Sequence, residues 1–190
     1  PPPPTPSLKS IRGATIVVDP GHGGRDPGAR GVSSLPEKTI NLRIAMELVR
    51  QLGARGANVV PTRTTDEFIS LDDRAAMADR TGADLFVSIH ADAHQDGSVY
   101  GATIYVSREA GADSLRAAGQ IAAALQAAGI PYRGIRDAGF RVLRGHSRPA
   151  VLIECGYLTH RGEAQRLNDP AYQAGLAAAI AAGIANSFGK

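Results

Sequence analysis

The segment ADLFVSIHAD, residues 83–92, constrains the fold most strongly, because its apolar residues follow one another without the alternation of a half-exposed strand. A strand of this kind is typically covered on both faces, as in a parallel sheet between two layers of helices. A helical pattern stands earlier in the chain, where Ile40, Ile44, Leu48 and Leu52 recur on one face of a predicted helix over 37–53. The chain therefore combines buried strands with amphipathic helices.

The rest of the chain continues this alternation. A capping box beginning at Ser70 predicts a helix that runs to about Arg80. Apolar residues recur every four positions from Tyr172 to Phe188 and predict a last helix. Further strands are predicted at 14–19, 57–63, 100–107, 140–145 and 149–156, and a helix at 111–128 with Leu115, Ala118, Ala122 and Leu125 on one side. The pattern indicates one α/β domain, a mostly parallel sheet of about six strands with helices on both faces.

Composition excludes several classes of protein. The 190 residues, 43% of them apolar, suffice for one buried core, and no apolar run approaches the roughly 18 residues of a membrane span. The net charge of +3 is scattered rather than clustered, which argues against nucleic acid and is compatible with a polyanionic surface such as a cell wall. Residues 1–10 are rich in proline and are interpreted as a linker remnant of a longer protein, followed by a catalytic domain over 11–190.

The loop DPGHGGRDPGARG, residues 19–31, follows the first predicted strand. It could bind a phosphate, form a sharp turn or hold His22 towards a metal. No Lys-Ser/Thr pair follows it, and no G-x-G-x-x-G pattern opens a helix there, so nucleotide binding is disfavoured. The glycines are better explained by a sharp backbone turn that exposes His22.

Four side chains capable of binding metal or moving protons fall at one edge of the predicted sheet. His22 follows the first strand, His90 ends the third, Glu154 lies near the end of the last, and Glu37 begins the helix after the glycine-rich loop. Functional loops of such sheets lie at the carboxyl ends of the strands. Two imidazoles and one carboxylate form a common zinc donor set, and with a single cysteine in the chain a catalytic site is favoured over a structural one.

Five motifs in order give the chain a family likeness. The stretches IVVDPGHGGRDPGARG, EKTINLRIA, TRTTDEFISLDDRAAMA, LFVSIHADA and PAVLIECGYLTHRGEAQRL resemble those of the zinc-dependent N-acetylmuramoyl-L-alanine amidases of the AmiA/AmiB/AmiC and CwlV type. The resemblance extends from Ile16 to the C-terminus.

This resemblance implies roles for four residues: His22, Glu37 and His90 would hold one Zn²⁺, and Glu154 would be the catalytic acid/base. It also implies the substrate, peptidoglycan, cut between the lactyl group of N-acetylmuramic acid and the first L-alanine of the stem peptide. We therefore expect an exported enzyme of the periplasm or cell wall, without a membrane span and monomeric. Two rival hypotheses remain, a zinc peptidase that cuts another bond and a catalytically inactive wall-binding or regulatory relative.

The chain also departs from the family pattern. His160 stands where relatives often have asparagine, after the catalytic glutamate. Division-associated members carry a plugging helix between the second histidine and that glutamate, but only 64 positions separate His90 from Glu154. This spacing predicts an open site, so that an activator protein is possible but not required.

Other reactive or charged side chains are expected to pack in the core, to line the substrate site or to form supporting hydrogen bonds. Cys155 is interpreted as a small buried hydrophobe, because alternation along a strand turns it away from Glu154. His94 and His146 lie in polar loops, and His146 is the better candidate for the substrate rim. Asp19 and Asp92 are candidate hydrogen-bond partners of the metal-binding histidines. Three more residues are expected to hold loops and helices together: Asp26, Arg63 and Arg74.

Overall fold

A computed structural model describes residues 11–32 and 35–189. The proposed linker 1–10 lies outside the described residues. The elements, in chain order, are β1 (Thr15–Pro20), α1 (Glu37–Ala54), β2 (Asn58–Pro61), α2 (Leu71–Arg80), β3 (Leu85–Asp92), β4 (Ala102–Ser107), α3 (Ala112–Ala127), β5 (Tyr132–Ala138), α4 (Arg141–Arg144), β6 (Ala150–Tyr157), α5 (Arg161–Asn168) and α6 (Pro170–Phe188).

The six strands form one sheet in the order β2-β1-β3-β6-β4-β5. Every neighbouring pair is parallel except β4 and β6, which run antiparallel. The expected mostly parallel sheet with helices on both faces is confirmed. Because β1, β3 and β6 are parallel, the residues that end these three strands meet at one edge of the sheet.

The two faces of the sheet are covered unequally. Helices α1, α3 and α6 cover one face, where alternate strand residues such as Ile16, Val87 and Ile153 join the larger apolar cluster. Helices α2 and α4 cover the other, which we call the α2/α4 face, where Phe86 and Leu152 belong to a smaller cluster. The smaller cluster leaves part of this face for polar side chains.

The predicted apolar stripes of the first and last helices are confirmed. The α1 residues Ile40, Ile44, Leu48 and Leu52 are fully buried. In α6, Leu176, Ile180 and Ile184 are buried, and Tyr172 and Phe188 pack against the same cluster. Burying one such aliphatic side chain contributes about 1.5–3 kcal/mol, so these stripes fix both helices against the sheet.

Three local predictions were wrong. Residues 140–145 are not a strand: they contain the short helix α4, and the sixth strand is β5. The helix α5 was not predicted. In α3 the predicted Ala118, Ala122 and Leu125 are buried, but Leu115 does not face the core, since it is 50% exposed.

Candidate metal centre and active site

His22 is held by a backbone that two buried arginines fix in place. Its φ of 59° lies in the left-handed region, which costs a non-glycine residue about 1–2 kcal/mol. Arg63 donates hydrogen bonds to the carbonyls of Pro20 (3.0 Å) and Gly21 (2.8 Å), and Arg74 donates to those of Pro20 (2.6 Å) and His22 (2.7 Å). These bonds offset the strain, and they confirm that both arginines hold the loop.

Three of the predicted side chains meet at the end of β1 and β3. His22 Nε2 lies 3.1 Å from Glu37 Oε2, and His90 Nδ1 lies 3.0 Å from Glu37 Oε1. One potential ligand atom of each residue lies within 4.8 Å of the other two. On the far side of its ring, His22 Nδ1 is 2.7 Å from Asp26 Oδ2. A carboxylate at Nδ1 favours the tautomer that leaves Nε2 free to bind a metal.

The Glu37 carboxylate is buried and held as an anion. Its oxygens accept hydrogen bonds from the backbone N–H groups of Ala29 (2.6 Å) and Ala91 (3.2 Å) and from Asn41 Nδ2 (2.9 Å). The pairing of β3 with β6 shifts between His90 and Asp92, so the Ala91 N–H can turn to Glu37. Burial raises the pKa of Glu37, but hydrogen bonds and charge from the two histidines outweigh it and hold that pKa well below its ordinary value.

Two glycines of the loop make room for this cluster. A Cβ on Gly21 would overlap the imidazole of His90, and a Cβ on Gly28 would overlap the carboxylate of Glu37. Gly28 also has a φ of +74°, which other residues rarely adopt. The glycine-rich loop is therefore required by the packing of the cluster rather than by a phosphate.

Glu154 stands beside the cluster on the neighbouring strand. It pairs in register with His90 of β3 and with Thr103 of β4, so the three side chains project from the α2/α4 face. Glu154 is 9% exposed, and its Oε2 has no hydrogen-bond partner among the described residues. Burial, and then the charges of Asp92 and Glu37, raise the pKa of Glu154 well above its ordinary value. A carboxylate whose pKa is raised binds a proton more tightly than an ordinary carboxylate, so it is a stronger base.

The carboxylate partners of the histidines differ from those predicted. Asp19 is buried among Thr62 Oγ1 (2.6 Å), Arg74 Nη1 (2.7 Å) and Ser88 Oγ (2.7 Å), so it holds β1 to its neighbours. Asp92 accepts a hydrogen bond from the backbone of Ala93 rather than from either histidine. The partner of His22 is Asp26, four residues along the same loop, a spacing that could have suggested the contact.

The remaining histidines and the cysteine lie apart from the cluster. His146 is not at the substrate rim: it precedes β6, at the sheet edge opposite Glu154, and its Nε2 lies 2.9 Å from the Val142 carbonyl. His160 caps α5 by accepting a hydrogen bond from the backbone N–H of Glu163 (3.1 Å), and His94 is an exposed loop residue. Cys155 is buried in the larger cluster, as expected, and burial raises the pKa of its thiol.

Comparison with known proteins identifies the family. The model of the family described as N-acetylmuramoyl-L-alanine amidase matches residues 16–186. The N-acetylmuramoyl-L-alanine amidase LytC of Bacillus subtilis is 39% identical over 180 residues, which are 94% of this chain but 36% of LytC. This chain thus spans about a third of that relative's length.

Solved structures agree with this match. The N-acetylmuramoyl-L-alanine amidase of Clostridium difficile 630 superimposes with a TM-score of 0.87 at 37% identity, covering 91% of this chain and 95% of that one. The CwlD amidase of Clostridioides difficile, solved in complex with the GerS lipoprotein, gives a TM-score of 0.87 at 31% identity and covers 92% and 98% of the two chains. By family model, sequence and fold, this chain belongs to the N-acetylmuramoyl-L-alanine amidase family.

Proposed function

We propose that this chain is a zinc-dependent peptidoglycan amidase, which hydrolyses the amide bond between the lactyl group of N-acetylmuramic acid and the L-alanine of the stem peptide. The observation that carries the proposal is the His22–Glu37–His90 cluster beside Glu154 on the adjacent strand, whose Oε2 has no hydrogen-bond partner among the described residues. Membership of the family supports the substrate.

The three side chains suit zinc in chemistry and spacing. Two imidazoles and a carboxylate at bond lengths of about 2.0–2.2 Å in a tetrahedron lie roughly 3.3–3.6 Å apart. One potential ligand atom of each residue lies within 4.8 Å of the other two, so the three side chains would need to move closer to hold the ion. When bound, zinc would lower the pKa of a water molecule towards 7 and polarise a carbonyl group.

The protein's own groups would then move the proton. Glu154 would accept a proton from the attacking water and pass it to the departing amide nitrogen, which leaves poorly until it is protonated. Asp26 would keep His22 in the required tautomer. The backbone donors Ala29 and Ala91 would keep Glu37 ionised and oriented.

We further propose that the enzyme acts on the cell wall after export, as a monomer and without nucleic acid. No helix among the described residues is long and apolar enough to cross a bilayer. An activating partner is compatible with the fold, since CwlD was solved together with a lipoprotein.

The test uses the full chain and purified peptidoglycan sacculi. We expect release of stem peptides with a new alanine amino terminus and loss of that release when a chelator is present. The variant Glu154→Gln should keep its zinc and its melting temperature and lose about 10²- to 10⁴-fold in rate, the usual contribution of a general acid/base. Glu109→Gln, at an exposed glutamate, is the matched control.

Each contrary result has a definite meaning. Cleavage of another bond would make the chain a zinc peptidase, and wall binding without cleavage would make it an inactive relative. Loss of zinc from Glu154→Gln would make this residue a ligand. A large fall in its melting temperature would make it a structural carboxylate.

A further inference from the structure

The order of the strands determines in which direction a bound substrate would lie across the sheet. Across the sheet, His22 follows β1, His90 lies on β3, Glu154 on β6 and Thr103 on β4, with β5 beyond them. If the scissile carbonyl faces the His22–Glu37–His90 cluster and the departing nitrogen faces Glu154, the sugar lies towards β1. The stem peptide then extends over β4 and β5.

The edge strand β5 leaves room for such a peptide, whereas Thr103 on β4 is fully buried. His90, Glu154, Thr103 and Gly134 form one row of register partners across four strands. Within this row, Thr103 Oγ1 and Glu154 Oε2 are buried without a hydrogen-bond partner among the described residues. At its far end, a Cβ placed on Gly134 would meet nothing within 4 Å. The row thus offers polar groups near the reacting atoms and open space further along.

Arg136 lies in the next row of the same face, where it pairs in register with Tyr105. Its side chain is exposed and makes no hydrogen bond or ion pair within the described part of the chain. Other charges on β5 are engaged: Arg133 donates to the Tyr100 carbonyl (3.3 Å), and Asp137 lies 3.8 Å from Arg108. Arg136 is therefore a cation free to bind a ligand.

Tyr105 lies on β4 between Arg136 and Leu152, in the row next to that of Thr103 and Glu154. Its ring packs against that of Phe140, with 5.2 Å between centroids. Burial raises the pKa of Tyr105, as do Tyr157, Asp92 and Glu154, whereas Arg136 lowers it.

We propose that Arg136 is a specificity-determining residue, whose guanidinium binds a carboxylate of the stem peptide about two or three residues beyond the scissile bond. This inference rests on the proposed amidase function. Two strand spacings of about 4.8 Å separate β6 from β5, and one row, about 6.6 Å along the strands, separates Glu154 from Arg136, so their backbones are roughly 12 Å apart. An extended peptide spans about 3.3–3.6 Å per residue, and the long arginine side chain covers part of the distance, which leaves about two or three residues. A planar guanidinium can bind a carboxylate through two parallel hydrogen bonds.

The experiment compares two probes, a muramoyl tripeptide with its carboxyl groups free and the same compound with them amidated. For the unchanged protein, we expect kcat/KM to be about two- to fivefold higher for the free acid, the range of an exposed ion pair with good geometry. In Arg136→Gln this ratio should fall towards one, mainly through KM. Arg136→Lys should restore part of it. Arg43→Gln, at an exposed arginine of α1, should keep the full ratio.

A binding measurement separates this inference from the proposed function. In the Glu154→Gln background, calorimetric titration should show tighter binding of the free acid than of the amide, and the added Arg136→Gln change should abolish that difference. Absence of stem-peptide release from every substrate would contradict the amidase function alone. An equal preference of the unchanged protein for both probes, or a preference that survives Arg136→Gln in cleavage and binding, would overturn the role of Arg136.

Discussion

At the scale of single residues, the candidate site depends on glycines, which have no side chain to fill the space, as well as on the proposed metal-binding residues. Gly21 has no positive φ, so its backbone would accept alanine, but an added methyl group would overlap the ring of His90. His90 lies between Gly21 and the Glu37 carboxylate and has little room to retreat. A side chain in front of His90 would therefore disturb the proposed metal site without changing any of the three proposed ligands.

We expect Gly21→Ala to lower zinc affinity at least about tenfold, because the imidazole must leave its position opposite Glu37. Titration of the purified variant with zinc against a competing chelator measures this. Gly175→Ala is the control: this glycine lies exposed in α6 with space around it, and alanine there should leave zinc binding unchanged and stabilise the helix by about 0.5–1 kcal/mol. Undiminished affinity in Gly21→Ala would show that His90 is not held by contact with this glycine.

The sequence predicted the residues of the candidate site better than it predicted the residues that form hydrogen bonds to them. The residues at the ends of parallel strands could be assigned to one edge because strand order within such sheets is restricted, so His22, Glu37, His90 and Glu154 were found together. Their hydrogen-bond partners depend on side-chain directions within a loop. Asp19 was placed beside a histidine by proximity in sequence, whereas alternation along β1 turns it towards Ser88 and Arg74.

At the scale of elements, β5 and α4 show why the edge of the sheet was mispredicted. The strand β5, YRGIRDA, carries charges and a glycine because it is an exposed edge strand and lacks an apolar pattern. The next stretch, FRVLRG, has the composition of a strand, but Val142 and Leu143 pack in the smaller cluster as one turn of helix. Packing against the rest of the molecule determines that β5 is a strand and α4 a helix, and local residue preferences do not predict either one.

The turn after α4 is held by one neutral histidine. His146 Nδ1 accepts a hydrogen bond from the backbone N–H of Arg148 (3.1 Å), which leaves Nε2–H to donate to the Val142 carbonyl (2.9 Å). Burial lowers the pKa of His146 below its ordinary value of 6.5. The unfolded chain then binds more protons than the folded one below about pH 6.5, so this contribution is present above that pH and is lost as the pH falls.

We predict that His146→Gln lowers the free energy of unfolding by about 1–2 kcal/mol at pH 7.5, since two hydrogen bonds are lost. The difference from the unchanged protein should shrink by pH 5.5, because below about pH 6.5 the unfolded chain binds a proton on His146 more readily than the folded protein does. Urea unfolding at both pH values measures it. A difference that grows towards pH 5.5 would mean that the folded protein prefers the charged imidazole.

At the scale of the whole molecule, the helices and strands between His90 and Glu154 all belong to the sheet and its cover. This stretch forms β4, α3, β5 and α4. The helix α3 buries Ile121 and Leu125 against α6 and the sheet, and α4 has only four residues. No helix within the described residues is therefore free to lie across the metal ligands, and the side chains of His22 and His90 remain 25% and 17% exposed.

From this arrangement we predict that the full chain releases stem peptides from sacculi without any added protein, and that it does so as a monomer. Zinc-loaded protein would be assayed over a range of concentrations, with light scattering to give its mass in solution. Activity per molecule should be constant across that range, because every group proposed to act on the substrate belongs to one chain. A rate per molecule that rises as the protein self-associates would contradict this prediction, and so would activity that appears only when a second protein is supplied. Either result would show that another chain is needed to complete the site, where the side chains of His22 and His90 are partly exposed.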